Sequence, residues 1–107
     1  ASPGSMQADA RMKTHAMPLT YPRAVTCAGT LRAQPGPART GSVTRAVWTF
    51  AMAASQMGRD QGLAPDVIER AIKLAETRAR TASEPMRNAQ ARNCLREARN
   101  SAPIKAG

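Results

Sequence analysis

The segment from residue 65 to residue 82 has the clearest periodicity in the chain and constrains the fold more than any other feature. Its apolar residues recur every three or four positions, which is the spacing that places side chains on one face of an α-helix. This apolar arc consists of Val67, Ile68, Ala71, Ile72, Leu74, Ala75 and Ala79. Pro65 suits the first turn of a helix, and Asp66 is favourable near its positive end. The pattern therefore predicts an amphipathic helix whose apolar arc must be covered by other elements.

Two further helices are predicted on either side of this segment. Ser42 can cap a helix over about 43–58, and Ser83 can cap a third helix over about 84–101 with Pro85 in its first turn. The apolar face of the first of these helices consists of Val43, Ala46, Val47, Phe50, Ala51, Ala54 and Met57. The sequence thus predicts a mostly α fold, a small three-helix bundle within a helical domain of residues 42–102, with 103–107 as a tail.

The residues before this domain follow different patterns. Residues 1–18 lack any period and are predicted to form a disordered arm, whose opening ASPGSM is typical of a cloning remnant. From Leu19 to Leu31 the apolar residues fall mostly at odd positions, which is the period of a strand. The prolines and glycines of 34–42 break regular structure. We therefore expect a flexible Pro/Gly-rich arm, in which residues 19–41 form an extended segment with an edge strand or a short β-hairpin, followed by a linker.

The core of such a bundle contains few large side chains. The chain has 107 residues, enough for one small domain, and only 3% of them are aromatic although 42% are hydrophobic. Much of that hydrophobic fraction is alanine. A small alanine-rich bundle often gains stability by dimerising, so a homodimer is one expectation for this chain.

The net charge favours a polyanionic partner. Sixteen basic residues face seven acidic ones, which gives a formal net charge of +9. Such a field attracts nucleic acid, an anionic membrane surface or an acidic protein. The alternative is a compositional bias, because a GC-rich genome enriches arginine and alanine without selection for binding.

The stretch RNAQARNCLREARN, residues 87–100, concentrates this charge on the third predicted helix. Ideal helical geometry places Asn88, Arg92, Arg96 and Arg99 in one stripe of roughly 80°. Guanidinium groups suit phosphate because their planar fork donates two hydrogen bonds at once. The segment resembles arginine-rich helical RNA- or DNA-binding peptides, over these residues only and without a fixed spacing. The alternative is an ordinary solvated helix face.

A second segment, residues 57–72, partly resembles the turn of a helix-turn-helix. The residues that match that pattern are Gly58, Gly62, Leu63, Ile68 and Ile72. Gln61 departs from it, since that position is usually apolar. A recognition helix beginning with Asp66 and carrying Glu69 would also present the wrong charge to phosphates. A plain αα-hairpin with a glycine-rich connection is therefore the favoured interpretation.

The sequence contains few residue patterns typical of catalytic sites, metal sites or membrane-spanning segments. His15 is the only histidine, no phosphate-binding loop occurs, and Cys27 and Cys94 lack metal-ligand spacing. We therefore predict a non-enzymatic protein without cofactor or metal. The two cysteines can form a disulfide between the N-terminal segment and the last helix, or stay as buried thiols in a reducing compartment. No run of about 18 apolar residues or signal peptide is found, so a cytoplasmic location without a transmembrane segment is expected.

These features predict a small basic accessory or regulatory protein of bacterial, phage or plasmid origin that binds nucleic acid, either RNA or DNA. The residues predicted to make the contacts are Arg87, Asn88, Arg92, Arg96 and Arg99. The alternative is a protein–protein adaptor or inhibitor, self-associating or bound to an acidic protein through its helical faces. In that case Trp48 and Met52, at the fringe of the first predicted helix, are the candidate contacts.

Overall fold

A computed structural model describes residues 18–106, and the side chains of residues 18–100. These residues form four α-helices and contain no strand: α1 (Tyr21–Arg32), α2 (Gly41–Asp60), α3 (Pro65–Thr81) and α4 (Glu84–Ala106). A short 3₁₀ helix, Gly36–Ala38, lies between α1 and α2. The mostly helical fold is confirmed, and α2, α3 and α4 correspond to the three predicted helices. The predicted disordered arm falls almost wholly on residues 1–17, which lie outside the described residues.

Helix α1 is the centre of the bundle, which the sequence did not predict. Seven of its twelve residues are buried, and it packs against α2, α3 and α4. The prediction of an edge strand or β-hairpin over 19–31 was wrong. Thr20 caps the helix by accepting a hydrogen bond from the Arg23 amide. Pro22 lies in the first turn, where backbone N–H groups have no partner within the helix, so the N–H that proline lacks is not needed. The bundle therefore has four helices, and its first helix lies well before residue 42.

The core is built mainly from small side chains. Among its fully buried members, Phe50, Leu31, Ile68 and Ile72 are the largest. The other buried residues of the cluster are Ala24, Val25, Cys27, Ala28, Val43, Ala46, Ala54, Ala91 and Cys94. Because most of these side chains are short, the helices must approach each other closely to bury them at the packing density of a protein interior.

The connections between helices use local capping. The side chain of Thr40, not Ser42, caps α2 by accepting a hydrogen bond from the Val43 amide. At the other end of α2, Gly62 has a φ of 87°, which favours glycine. The amides of Gly62 and Leu63 donate to the carbonyls of Arg59 and Gly58, both at 2.9 Å, which is the hydrogen-bond pattern of a Schellman motif. Ser83 accepts from the Met86 amide at the start of α4, as its sequence position predicts.

A disulfide joins α1 to α4. The Cα atoms of Cys27 and Cys94 lie 5.4 Å apart, within the range that disulfides span. Of the two states that the sequence left open for these cysteines, the structure has the disulfide. It fixes the middle of α4 against the central helix.

The three outer helices do not surround α1 evenly. Helix α2 packs against both α3 and α4, whereas α3 and α4 diverge after the turn at residues 82–83 and have no comparable interface. Two grooves result, one where α2 meets α4 and one in the gap between α3 and α4.

Candidate nucleic-acid interface

Helix α4 has a narrow inner face and a basic outer face. Ala91 and Cys94 are buried against the rest of the bundle, and Leu95 and Ala98 are half-buried beside them. Arg92, Arg96 and Arg99 are exposed. These three residues follow a spacing of four and three, so their guanidinium groups emerge from one side of the helix. We call Arg92, Arg96 and Arg99 the arginine row.

The nearest acidic side chain of α4 is turned away from the arginine row. Glu97 accepts a hydrogen bond from Nε of Arg23 on α1 at 2.5 Å, and both side chains are partly buried. None of the ion pairs among the described residues includes a member of the arginine row. The row therefore presents three positive charges that no described carboxylate neutralises.

Arg87 and Asn88, which the sequence placed with the row, have different environments. Both are half-buried. Arg87 precedes Ala91 by four residues and Cys94 by seven, which puts it on the inner face of α4. Its Nε is buried and has no hydrogen-bond partner among the described residues. Arg87 is therefore less available to an external phosphate than the arginine row.

A groove between α2 and α4 extends the basic surface. It has a volume of about 200 Å³, and Arg45 of α2 and Arg99 of α4 lie on its two sides. Its remaining lining residues are Ser42, Ala46, Thr49, Leu95 and Ala98. Arg45 is exposed and belongs to none of the described ion pairs. The packing of α2 against α4 brings Arg45 beside the arginine row, a neighbourhood that the spacing within either helix does not show.

The carboxylates of α3 are engaged locally. Asp66 pairs with Arg70 and Glu76 pairs with Arg80 along α3, while Glu69 pairs with Arg32 of α1. Ile68 and Ile72 of α3 are buried in the core. The exposed side of α3 thus mixes both charge signs, and the arginine row of α4 is the more strongly basic surface.

Trp48 and Met52, the predicted contacts of the alternative function, form a separate exposed pair. Their side chains lie one helical turn apart on α2 and are 66% and 50% exposed. Neither side chain belongs to the hydrophobic core of the bundle. Their exposure gives α2 an apolar spot on its outer face.

No known protein family, curated protein sequence or solved structure matches this chain. Within residues 18–106, no cluster of three or more His, Cys, Asp or Glu side chains is arranged to hold a metal ion. No helix in the same part of the chain has the length and apolar character needed to cross a membrane.

Proposed function

We propose that this protein binds nucleic acid through the phosphate backbone, with the arginine row as the principal contact. The observation that carries the proposal is the Arg23–Glu97 pair. It directs the one carboxylate in the middle of α4 towards α1 and leaves three exposed guanidinium groups on the outside of the same helix. Each group can donate a bidentate, charge-assisted pair of hydrogen bonds to a phosphate.

The surroundings of the row favour phosphate contacts over base recognition. Arg45 lies across the α2–α4 groove from Arg99 and adds a fourth cation. Trp48 is the only strongly exposed aromatic side chain among the described residues, so stacking on bases has little support. Phosphate contacts fix position on a nucleic acid but do not read its sequence. The proposed binding is therefore governed by shape and charge and is strongly salt-dependent.

The test compares labelled duplex DNA and hairpin RNA at several salt concentrations. The variant is Arg92→Ala/Arg96→Ala/Arg99→Ala, and a matched control, Arg59→Ala/Arg70→Ala/Arg80→Ala, removes the same charge from exposed positions elsewhere. On duplex DNA, log affinity falls as log salt rises, and loss of three phosphate contacts should make this negative slope shallower by about 3. The control should lower affinity only through the weaker overall field. Equal losses in the two variants would show that net charge, and not the row, is responsible.

A second candidate function is protein binding through Trp48 and Met52. Its supporting observation is the exposure of two large, adaptable apolar side chains one turn apart, since aromatic residues and methionine are enriched at protein interfaces. The same face could support a homodimer. Sedimentation of the wild type and of Trp48→Ala/Met52→Ala tests this, because a dimer formed through this pair should become monomeric in the variant. A wild-type chain that sediments as a monomer across a wide concentration range would rule out the homodimer.

A further inference from the structure

The gap between α3 and α4 forms a second groove, on a different side of α4 from the arginine row. It has a volume of about 310 Å³. Thr26 and Thr30 of α1 form its floor. Arg78 and Ala79 line the α3 side, while Met86 and Gln90 line the α4 side. The groove is therefore bounded by helices on three sides and open on the fourth.

An exposed apolar side chain lines this groove and a second lies next to it. Five large hydrophobic side chains are exposed in the described part of the chain: Trp48, Met52, Val67, Leu74 and Met86. Met86 lines the groove, and Leu74 and Val67 precede Arg78 on α3 by four and eleven residues, which places them on the same face as Arg78. Met86 thus lies in the groove and Leu74 lies one helical turn from Arg78, and neighbouring exposed apolar side chains of this kind mark a candidate binding surface.

The charge of the groove selects an acidic occupant. Arg78 lines it and has no carboxylate partner among the described residues. No carboxylate of the described residues lines the groove, and Glu97 and Glu76 are paired with Arg23 and Arg80. A second copy of this chain, with its own net charge of +9, would meet like charge over long range. An acidic partner would instead be attracted and could pair with Arg78.

We propose that this groove binds an amphipathic, acidic α-helix of another protein. Such a helix would cover Thr26 and Thr30 of α1 in the gap between α3 and α4, and would place its apolar face on Leu74 and Met86. Helix-in-groove recognition depends on apolar anchors at helical spacing, with polar contacts that fix orientation. The proposal rests on the α3–α4 gap and does not depend on nucleic-acid binding by the arginine row.

The test uses a displayed library of helical peptides with leucine at positions i, i+3, i+4 and i+7 and with Glu, Gln or Lys allowed elsewhere. Selection on the full chain should enrich glutamate-rich peptides. Arg78→Glu should reduce that preference for glutamate while peptides are still selected, whereas a non-specific loss of folding would abolish the selection itself. Leu74→Ala/Met86→Ala should weaken the selected peptides about tenfold or more. The matched control Trp48→Ala/Met52→Ala, which removes exposed apolar side chains from α2, should leave them bound.

Three results would overturn the proposal. The first is a selection that enriches no peptide, or peptides without an excess of glutamate. The second is an acidic preference that Arg78→Glu leaves unchanged. The third is a wild-type chain that self-associates and becomes monomeric in Leu74→Ala/Met86→Ala, because the groove would then hold a second copy of this chain.

Discussion

Gly29 of α1 lies directly against Ala75 of α3. A β-carbon added to Gly29 would come within 2.5 Å of the Ala75 β-carbon and 2.6 Å of the backbone nitrogen of Glu76. Real β-carbons do not approach other atoms this closely, so the two helices can cross here only because residue 29 has no side chain. This contact sets the distance between the central helix and α3, and therefore also shapes the floor and one wall of the α3–α4 groove.

Gly29→Ala should destabilise the fold. The clash involves the backbone of α3, which cannot rotate away as a flexible side chain would, so the cost of overpacking should be about 1–3 kcal/mol or more. Urea unfolding followed by circular dichroism measures it. Gly41→Ala is the matched control, since a β-carbon at Gly41 meets nothing within 4 Å and alanine is favoured in a helix by up to about 1 kcal/mol. Similar unfolding midpoints for the two variants would contradict the close crossing.

The role of α1 shows why the fold could be predicted only in part. The alternation from Leu19 to Leu31 was assigned to a strand because its larger apolar residues fall at odd positions. The helical face depends on Ala24 and Ala28 together with Cys27 and Leu31, which are spaced at i, i+4, i+3 and i+7. Alanine weighs little in a hydrophobic pattern, yet all four residues are fully buried. By contrast, α3 was predicted because Ile68 and Ile72 define the buried part of its apolar arc, although Val67 and Leu74 of the predicted arc are exposed.

The part of the candidate site that lies on α4 was predicted from the sequence, whereas the contribution of a second helix was missed. The spacing of Arg92, Arg96 and Arg99 along α4 was enough to predict a common exposed side. Arg45 comes from α2, and no periodicity within α2 indicates that α4 packs beside it. The environment of Arg87 also depends on tertiary packing, because helical spacing alone does not say how far the inner face of α4 extends.

Gly62→Ala should destabilise the connection between α2 and α3. Gly62 has a φ of 87°, a conformation that costs an alanine about 1–2 kcal/mol. No neighbour lies within 4 Å of a β-carbon at this position, so the whole effect should come from the backbone. The unfolding free energy should fall by that amount, and Gly36→Ala, also in open space but at an ordinary φ, should change it little. An equal effect of both substitutions would show that the left-handed turn at Gly62 is not required.

Reduction of the disulfide should cost much of the stability of the fold. Cys27 and Cys94 are separated by 67 residues in sequence, and the loop-entropy relation for a cross-link of that length gives about 4 kcal/mol. Cys27→Ser/Cys94→Ser should unfold at a clearly lower urea concentration than the oxidised wild type, and added reductant should lower only the wild-type midpoint. Thiol titration of the denatured, unreduced protein should detect no free thiol.

The redox state of Cys27 and Cys94 also bears on the cellular compartment of the protein. Disulfides persist in oxidising compartments and are rare in the cytosol. The cytoplasmic location expected from the sequence stays a prediction, and the Cys27–Cys94 bond favours an oxidising compartment instead. Protein trapped with a thiol-alkylating reagent directly in its native cells should carry no alkyl group on Cys27 or Cys94. Two alkylated cysteines per chain would show that the reduced form is the one present in the cell.

The substitution Arg87→Met tests whether Arg87 contributes to nucleic-acid binding or only to the stability of α4. The Nε of Arg87 is buried without a hydrogen-bond partner among the described residues, and leaving such a group unpaired costs about 1–3 kcal/mol. Methionine keeps much of the length of the side chain and removes the buried donor, so the variant should be as stable as the wild type or more stable.

Because Arg87 lies on the inner face of α4, its loss should reduce nucleic-acid affinity far less than Arg96→Met, which removes the same charge from the exposed row. Urea unfolding and salt-dependent binding of duplex DNA measure the two effects separately. If Arg87→Met weakened binding as much as Arg96→Met while leaving stability unchanged, Arg87 would belong to the phosphate contacts, as its position in the sequence first suggested.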